Sequence, residues 1–226
     1  MTMTDPKKKL SAAEVRETAP AGWAQIMGSL KARYATKDFA TGLALVDRIG
    51  ASAEEMDHHP DITLTYTDVV VSLVSHDVGG LTSRDLTLAK TVGDHARDLG
   101  VEADVAGLTQ PDFGLDTRRH DDLGPFYAAL LGSSLKNGEP VDSTGQVPTV
   151  WWQNPDEDEG GPQLPPSEVE QRWHIDVWVA ADAAQQRLAA VLDASGRLVS
   201  DAAAPAYWVV EDADGNRHCI CTPEGR

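Results

Sequence analysis

The sequence predicts an α+β protein built as two units, and three observations carry that prediction. Stretches with helically spaced apolar residues interleave with stretches that alternate apolar and polar residues. Charge and tryptophan use change near residue 104. The first 104 residues hold 11 Lys/Arg against 16 Asp/Glu and a single tryptophan, Trp23, whereas the rest holds 8 against 20 and carries Trp151, Trp152, Trp173, Trp178 and Trp208. Finally, the second part repeats one order of elements: strand, helix, further strands. We place the units at 1–104 and 105–226, with the junction in residues 100–111.

In the first unit, residues 10–19 form a short helix stopped by Pro20. Residues 30–35 alternate Leu30, Ala32 and Tyr34, the period of a half-buried strand. Phe39, Leu43, Val46, Gly50 and Ala53 recur at helical spacing, so 38–56 is a helix with these residues as its apolar stripe. Pro60 closes that region. Ile62, Leu64 and Tyr66 alternate with Thr63 and Thr65, a second strand. Residues 69–75 are a β-branched run and read as a buried strand. Gly79-Gly80 breaks the chain, and Thr82-Ser83-Arg84-Asp85 has the capping-box pattern before a helix through Leu86, Ala89, Val92 and Ala96.

The second unit echoes itself. Residues 112–117 form a strand, followed by a helix near 123–131, Gly132 and a strand at 149–153. Residues 173–179 form a strand, followed by a helix near 183–192, Gly196 and strands at 206–211 and 218–221. The acidic, Gly/Pro-rich stretch 153–166 is an exposed connector.

Composition bounds the function. The chain has 226 residues, 41% of them hydrophobic, enough for a real core. A net charge of −17 repels phosphate backbones and anionic bilayers, so neither nucleic acid nor a membrane is expected as a partner. No apolar run approaches the ~18 residues of a membrane helix. Lys7, Lys8 and Lys9 are followed by no apolar stretch of a secretory signal, so a cytoplasmic location is expected. Cys219 and Cys221 stand two apart on one strand, a poor geometry for a disulfide, and two free thiols fit a reducing compartment.

The chemistry concentrates in residues 54–85: Glu54, then His58-His59-Pro60, Tyr66, His76 and Asp85. Imidazole gives and takes a proton near neutrality. Adjacent His58 and His59 sit where a helix hands over to a strand, so their rings cannot both enter a helix core. His76 ends an apolar strand, where residues face a cleft rim. Histidines converging on a pocket suit general acid/base work on a small molecule. Asp85 equally well only caps the following helix, and Glu54 equally well is a solvated helix residue. A metal site is disfavoured here, because adjacent histidines diverge and the i, i+4 pair of a zinc helix is absent.

These residues resemble the pterin-4a-carbinolamine dehydratases. Glu54, His58, His59, Pro60, Tyr66, His76 and Asp85 match that family's pattern in register, and the likeness extends to Gly22-Trp23, Asp38-Phe39, Gly80-Leu81-Thr82 and Leu88-Ala89 over residues 10–104. Ile62 departs from it, since relatives often carry an aromatic there. The resemblance implies a four-stranded antiparallel sheet with helices on one face. It also implies dehydration of 4a-hydroxytetrahydrobiopterin to quinonoid dihydropterin and water, as in tetrahydropterin recycling, with no cofactor. It implies His58 and His76 as the proton-transfer pair, His59 as the residue that orients the pterin, and Glu54 as a charge that tunes a histidine. Trp23, Asp57, Pro60, Tyr66 and Asp85 would contribute to substrate binding, Trp23 by stacking unless it is ordinary core. A homodimer is compatible with the resemblance.

The second unit resembles the glyoxalase/bleomycin-resistance/dioxygenase (vicinal oxygen chelate) family through residues 126–132, 172–177 and the Asp212–Asn216 turn. That implies a paired βαβββ domain with a cleft for an unknown small ligand. His174 stands at a metal-ligand position of that family. Cys219 stands where a glutamate is expected, and only Asp112 and Gln153 are offered by the first half. The ligand set is incomplete, so a metal-free version is expected. Two other functions stay open at this point. One is a non-catalytic pterin-binding or assembly module. The other places the activity in the second unit, as a metal-dependent lyase or dioxygenase.

Overall fold

A computed structural model describes residues 5–131, 133–145, 148–154, 170–193, 196–211, 215 and 217–225. The chain divides into two compact units, Met1–Leu108 and Thr109–Arg226. The sequence expectations for Gly132, for most of the 153–166 connector and for four of the five residues in the 212–216 turn lie outside the described residues.

In the first unit, Ser11 starts helix α1 (Ala12–Thr18) with a full capping box: its Oγ accepts from Glu14 N–H, and the Glu14 carboxylate accepts from Ser11 N–H. Strands β1 (Ala24–Ile26) and β2 (Ser29–Ala35) form a hairpin. Asp38 caps helix α2 (Phe39–Met56) by accepting from Thr41 N–H at 2.8 Å. Strands β3 (Asp61–Leu64) and β4 (Asp68–Leu73) follow, then helix α3 (Ser83–Asp98) and the two-residue strand β5 (Glu102–Ala103). The antiparallel sheet runs β1-β2-β4-β3, and β5 pairs with the far end of β2.

The inward row is set by strand period. Leu30, Ala32 and Tyr34 of β2 stand opposite Leu73, Val71 and Val69 of β4, and all six are buried. They meet Leu45, Ile49 and Ala53 of α2 and Leu88, Ala89, Val92 and Ala96 of α3 in one core. Each such Leu, Ile or Val contributes about 1.5–3 kcal/mol by leaving water.

Two details differ from the sequence expectation. Strand β4 is sealed on one face only, because helices cover one side of the sheet and leave Val70 and Ser72 half-buried. Helix α2 buries Gly42, Leu45, Ile49 and Ala53, while Phe39, Leu43 and Gly50 face outward. Gly42 makes this rotation possible, since a Cβ there would come within 2.6 Å of Leu64 Cδ1.

The second unit carries the strand–helix–three-strand order twice. The first copy is β6 (Gln110–Asp116), α4 (His120–Leu131), β7 (Ser134–Lys136), β8 (Glu139–Val141) and β9 (Thr149–Gln153). The second is β10 (Trp173–Trp178), α5 (Ala184–Asp193), β11 (Arg197–Ser200), β12 (Tyr207–Glu211) and β13 (Arg217–Cys221). The main sheet has the order β11-β12-β13-β10-β6-β9, and β7-β8 is a separate hairpin. The two copies join through the antiparallel pair β6–β10. Helix α5 covers one sheet face through Ala184 and Leu188, packed with Val179, Trp208, Val210 and Ile220.

No helix among the described residues is long and apolar enough to cross a membrane.

Candidate active site

Helix α2 ends on Asp57, which adopts the left-handed conformation (φ 47°, ψ 44°). Asp57 N–H donates to Glu54 O and His58 N–H to Ala53 O, the paired bonds of a Schellman stop. Aspartate is among the few non-glycine residues that enter this region readily. The turn throws the next two side chains apart. His58 goes inward and is buried; His59 goes outward, restricted to extended backbone by Pro60.

His58 Nε2 lies 2.8 Å from Asp85 Oδ1. Asp85 is fully buried in the first turn of α3, and its other oxygen accepts from Thr82 N–H at 2.7 Å and from Ser75 Oγ–H at 2.8 Å. Asp85 therefore caps the helix and holds His58 at once. Ser75 and Thr82 share a further hydroxyl bond of 2.9 Å, and Thr82 Oγ1 accepts from Arg84 N–H and Nε–H. His58 Nδ1 makes no hydrogen bond with the described residues, nor is it one of the sealed, partnerless polar atoms.

His59 and Glu54 form a second, open pair. Their Nε2–Oε1 distance is 3.2 Å, with side chains 56% and 81% exposed. Glu54 thus faces His59, not His58. His76 is exposed in the tight turn of residues 75–80, where Ser75 O accepts from the N–H groups of Val78, Gly79 and Gly80. The adjacent Asp77 accepts from Arg84 at 2.6 Å and pairs with Lys7 at 3.3 Å. Its hydrogen bond with Arg84 holds its carboxyl below the ordinary aspartate range. Lys9 Nζ donates to Gly79 O, so the segment before α1 ties this turn down from outside.

The register brings these pieces to one end of the sheet. Asp61, two residues after His59, pairs with Ser72, which shortly precedes Ser75 and His76. His58, His59, Pro60, His76, Asp85 and Glu54 share that end.

Two expected site residues lie elsewhere. Trp23 is buried in the core, edge-on to Tyr34 with ring centroids 6.4 Å apart, so packing occupies the indole that stacking would require. Burial likewise pushes the Tyr34 hydroxyl up to about 12. Tyr66 is 74% exposed in the β3–β4 turn, because the strand ends at Leu64 and Thr65 N–H closes the turn on Asp68 O. The four residues of β3 set it on the order of 13 Å along the strand from the histidine end. Ser75, conversely, escaped the sequence reading. Its signal was its place directly before His76, seven residues ahead of a capping threonine.

In the second unit, His174 is buried against Trp151, edge-to-face at 5.4 Å. Its Nε2 is 3.6 Å from Asp176 Oδ1, beyond hydrogen-bond range, and its Nδ1 is sealed without a partner among the described residues. Asp112 accepts from Trp178 Nε1 at 2.8 Å. Cys219 and Cys221 are buried free thiols, and the contact with Cys221 together with burial pushes the Cys219 thiol well above the ordinary range. Gln153 contributes its carbonyl to Thr117 N–H. Among the described residues no three His, Cys, Asp or Glu side chains are grouped to hold a metal.

A helix-backed antiparallel sheet with three histidines at one end, followed by a paired βαβββ unit, defines a two-unit α+β protein with a histidine site in its first unit. A family model described as pterin 4 alpha carbinolamine dehydratase matches residues 8–95, and one described as a glyoxalase-like domain matches residues 112–221. The chain belongs to the pterin-4-alpha-carbinolamine dehydratase family through its first unit. A protein of Thermosynechococcus vestitus is 40% identical over 75 residues, 33% of this chain and 79% of its own length. One of Koribacter versatilis is 35% identical over 88 residues, covering 39% and 88%. One of Aquifex aeolicus is 32% identical over 94 residues, covering 41% and 95%. All three carry the provisional name pterin-4-alpha-carbinolamine dehydratase. A solved transcriptional coactivator/pterin dehydratase of Brucella melitensis is 28% identical, with a TM-score of 0.38, covering 39% of this chain and 99% of its own.

Proposed function

We propose that the first unit dehydrates 4a-hydroxytetrahydrobiopterin, or a close pterin-4a-carbinolamine, to quinonoid dihydropterin and water, as a step in tetrahydropterin recycling. The observation that carries this is the His58–Asp85 pair set at the same sheet end as exposed His59 and His76. One buried, oriented imidazole beside two accessible ones suits a reaction that removes a proton at one atom and delivers one at another.

The bond changes balance without any oxidation or reduction. The N5–H proton leaves to a base, and its electron pair forms the C4a=N5 double bond. The C4a–O bond breaks, and the departing oxygen takes a proton from an acid and leaves as water. His58 and His76 are the proton-transfer pair, His59 orients the pterin, and Glu54 acts on His59 through its charge. The reaction is assigned to the first unit alone.

The test is stopped-flow turnover of a synthetic 4a-hydroxytetrahydropterin by the full chain and by His58→Ala and His76→Ala. We expect acceleration over buffer by the wild type and a loss of roughly 10²–10⁴-fold in each variant. Folded wild-type protein that gives no acceleration overturns the reading.

A further inference from the structure

We infer that the hydrogen-bond chain Arg84–Thr82–Ser75, acting through Asp85, fixes a proton on His58 Nε2, so that His58 Nδ1 is the base of the dehydration and Ser75 is its positioning residue. This rests on the dehydratase reading above and assigns the direction of proton transfer within it.

The direction follows from what each group can do. Arginine and backbone N–H groups only donate. Thr82 Oγ1 accepts from Arg84 N–H at 3.2 Å and Nε–H at 3.4 Å, so its own proton points away from Arg84. The nearest acceptor for that proton is Ser75 Oγ at 2.9 Å, closer than Asp85 Oδ2 at 3.3 Å. Ser75 then sends its single proton to Asp85 Oδ2 at 2.8 Å, where Thr82 N–H also donates. An aspartate carboxylate only accepts. The proton in the 2.8 Å contact between Asp85 Oδ1 and His58 Nε2 therefore belongs to histidine. A neutral imidazole has one N–H, so Nδ1 carries the lone pair. Nδ1 is also the ring nitrogen that makes no bond with the described residues.

The consequence is a division of labour. His58 Nδ1 takes the N5 proton, becoming an imidazolium whose Nε2–H stays on Asp85. The proton for the departing hydroxyl comes from exposed His76, which gives it as an imidazolium and is left as the neutral imidazole. Ser75 touches no substrate in this scheme. Its hydroxyl keeps the carboxylate turned toward His58, and the same residue anchors the turn that carries His76. One side chain thus registers both members of the pair.

Two measurements on the full chain test this. Long-range proton–nitrogen NMR of protein labelled with 15N-histidine, with His58 assigned by its loss in His58→Ala, reads the tautomer directly and needs no turnover. We expect a protonated Nε2 and an unprotonated Nδ1 in the wild type. Turnover of Ser75→Ala is then expected to drop in kcat by roughly 10- to 100-fold, the weight of one hydrogen bond to a charged group, with KM unchanged. Ser75→Thr, which keeps the hydroxyl, is expected to rescue both kcat and the tautomer. A wild-type His58 protonated on Nδ1 overturns the proposal even if the enzyme is active and even if Ser75→Ala does not fold. Unchanged kcat and tautomer in folded Ser75→Ala removes Ser75 from the scheme. The expected tautomer in a protein without turnover overturns the base assignment together with the dehydratase reading.

Discussion

The carboxylate of Asp85 reaches His58 with one oxygen, 2.8 Å away, and closes the capping box of α3 with the other, so one buried side chain joins the start of a helix to a buried histidine. Removing it costs twice. Asp85→Ala leaves His58, Ser75 and Thr82 without their common acceptor, and breaking such a buried pair destabilises by about 3 kcal/mol or more. Urea denaturation read at Trp23 with the other five tryptophans replaced measures it. A loss within 1 kcal/mol would show that the pair is not sealed. Asp85→Asn separates the two roles. Its amide keeps the volume but presents an N–H to His58 Nε2, which moves the histidine proton to Nδ1. Turnover should therefore fall by roughly 10²–10⁴-fold, while stability falls less than in Asp85→Ala.

Glu54 is a weaker lever. It pairs with His59 across solvent, and exposed pairs of this kind contribute about 0–1 kcal/mol. Glu54→Gln should leave the denaturation midpoint almost unmoved and change turnover far less than His58→Ala. Any effect on turnover should shrink as salt is raised toward 1 M, where screening acts within about 3 Å. A loss as deep as that of His58→Ala, insensitive to salt, would place the Glu54 carboxylate on the substrate instead.

Tyr66 supplies a control on the site's location. It sits at the opposite end of the β3–β4 hairpin from Pro60. Tyr66→Ala should leave both KM and kcat within about twofold, since surface changes away from special features usually fall within 0.5 kcal/mol. A marked rise in KM would mean that the substrate contacts the far turn.

Much of this architecture was legible in advance, because it rests on local rules. Thr82-x-x-Asp85 marks a helix start by chemistry that spans three residues. The alternation of Leu30, Ala32 and Tyr34 states which face of β2 is inward. The doubled strand–helix–strands order of the second unit shows in spacing alone. The failures share a cause, which is that two solutions were locally equal. Helix α2 has apolar residues on both Phe39/Leu43 and Leu45/Ile49, and it is tertiary packing, with Leu64 close against Gly42, that sets Leu45 and Ile49 inward. Tyr66 continues the alternation of β3, but the Thr65–Asp68 bond ends the strand before it. The split of His58 from His59 depends on a left-handed Asp57, and the link from Ser75 to Asp85 joins residues ten apart through tertiary contact. Residue type singled out the histidines as candidates; it could not say which was buried.

Gly114 predicts a packing limit in the second unit. It stands opposite both His174 and Trp151 on neighbouring strands, and a Cβ there would overlap the His174 ring and come to 3.0 Å of Trp151 Cζ2. Gly114→Ala should cost about 1–3 kcal/mol by overpacking. The cost should largely disappear in the His174→Ala background, where the overlapping ring is gone. Strict additivity in that double-mutant cycle would show that the two residues do not share the space.

Asp116 gives a pH signature of the opposite sign to that of Asp77. Burial raises its carboxyl above the ordinary aspartate value, with the charges of His174 and Arg172 offsetting this in part. Its Oδ1 is sealed without a hydrogen-bond partner among the described residues. A carboxyl raised in the folded state binds its proton more tightly there than in the unfolded chain. Its contribution is therefore most favourable below the unfolded value of 3.8 and is lost as pH rises through the higher folded value. At neutral pH the folded protein carries the full penalty of a half-buried charge. Asp116→Asn has no charge to bury at any pH. It should raise the melting temperature of the second unit at pH 7, and the gain should fade as pH drops toward 3.5. Asp77, held low by Arg84, behaves in the reverse sense: its contribution to the first unit is present above 3.8 and lost as pH falls through its depressed folded value. Calorimetric scans of wild type, Asp116→Asn and Asp77→Asn between pH 3 and 7 should thus give difference curves of opposite slope. An Asp116→Asn curve flat across that range would mean that the carboxyl is solvated, and that the sealed oxygen has found a partner in solution.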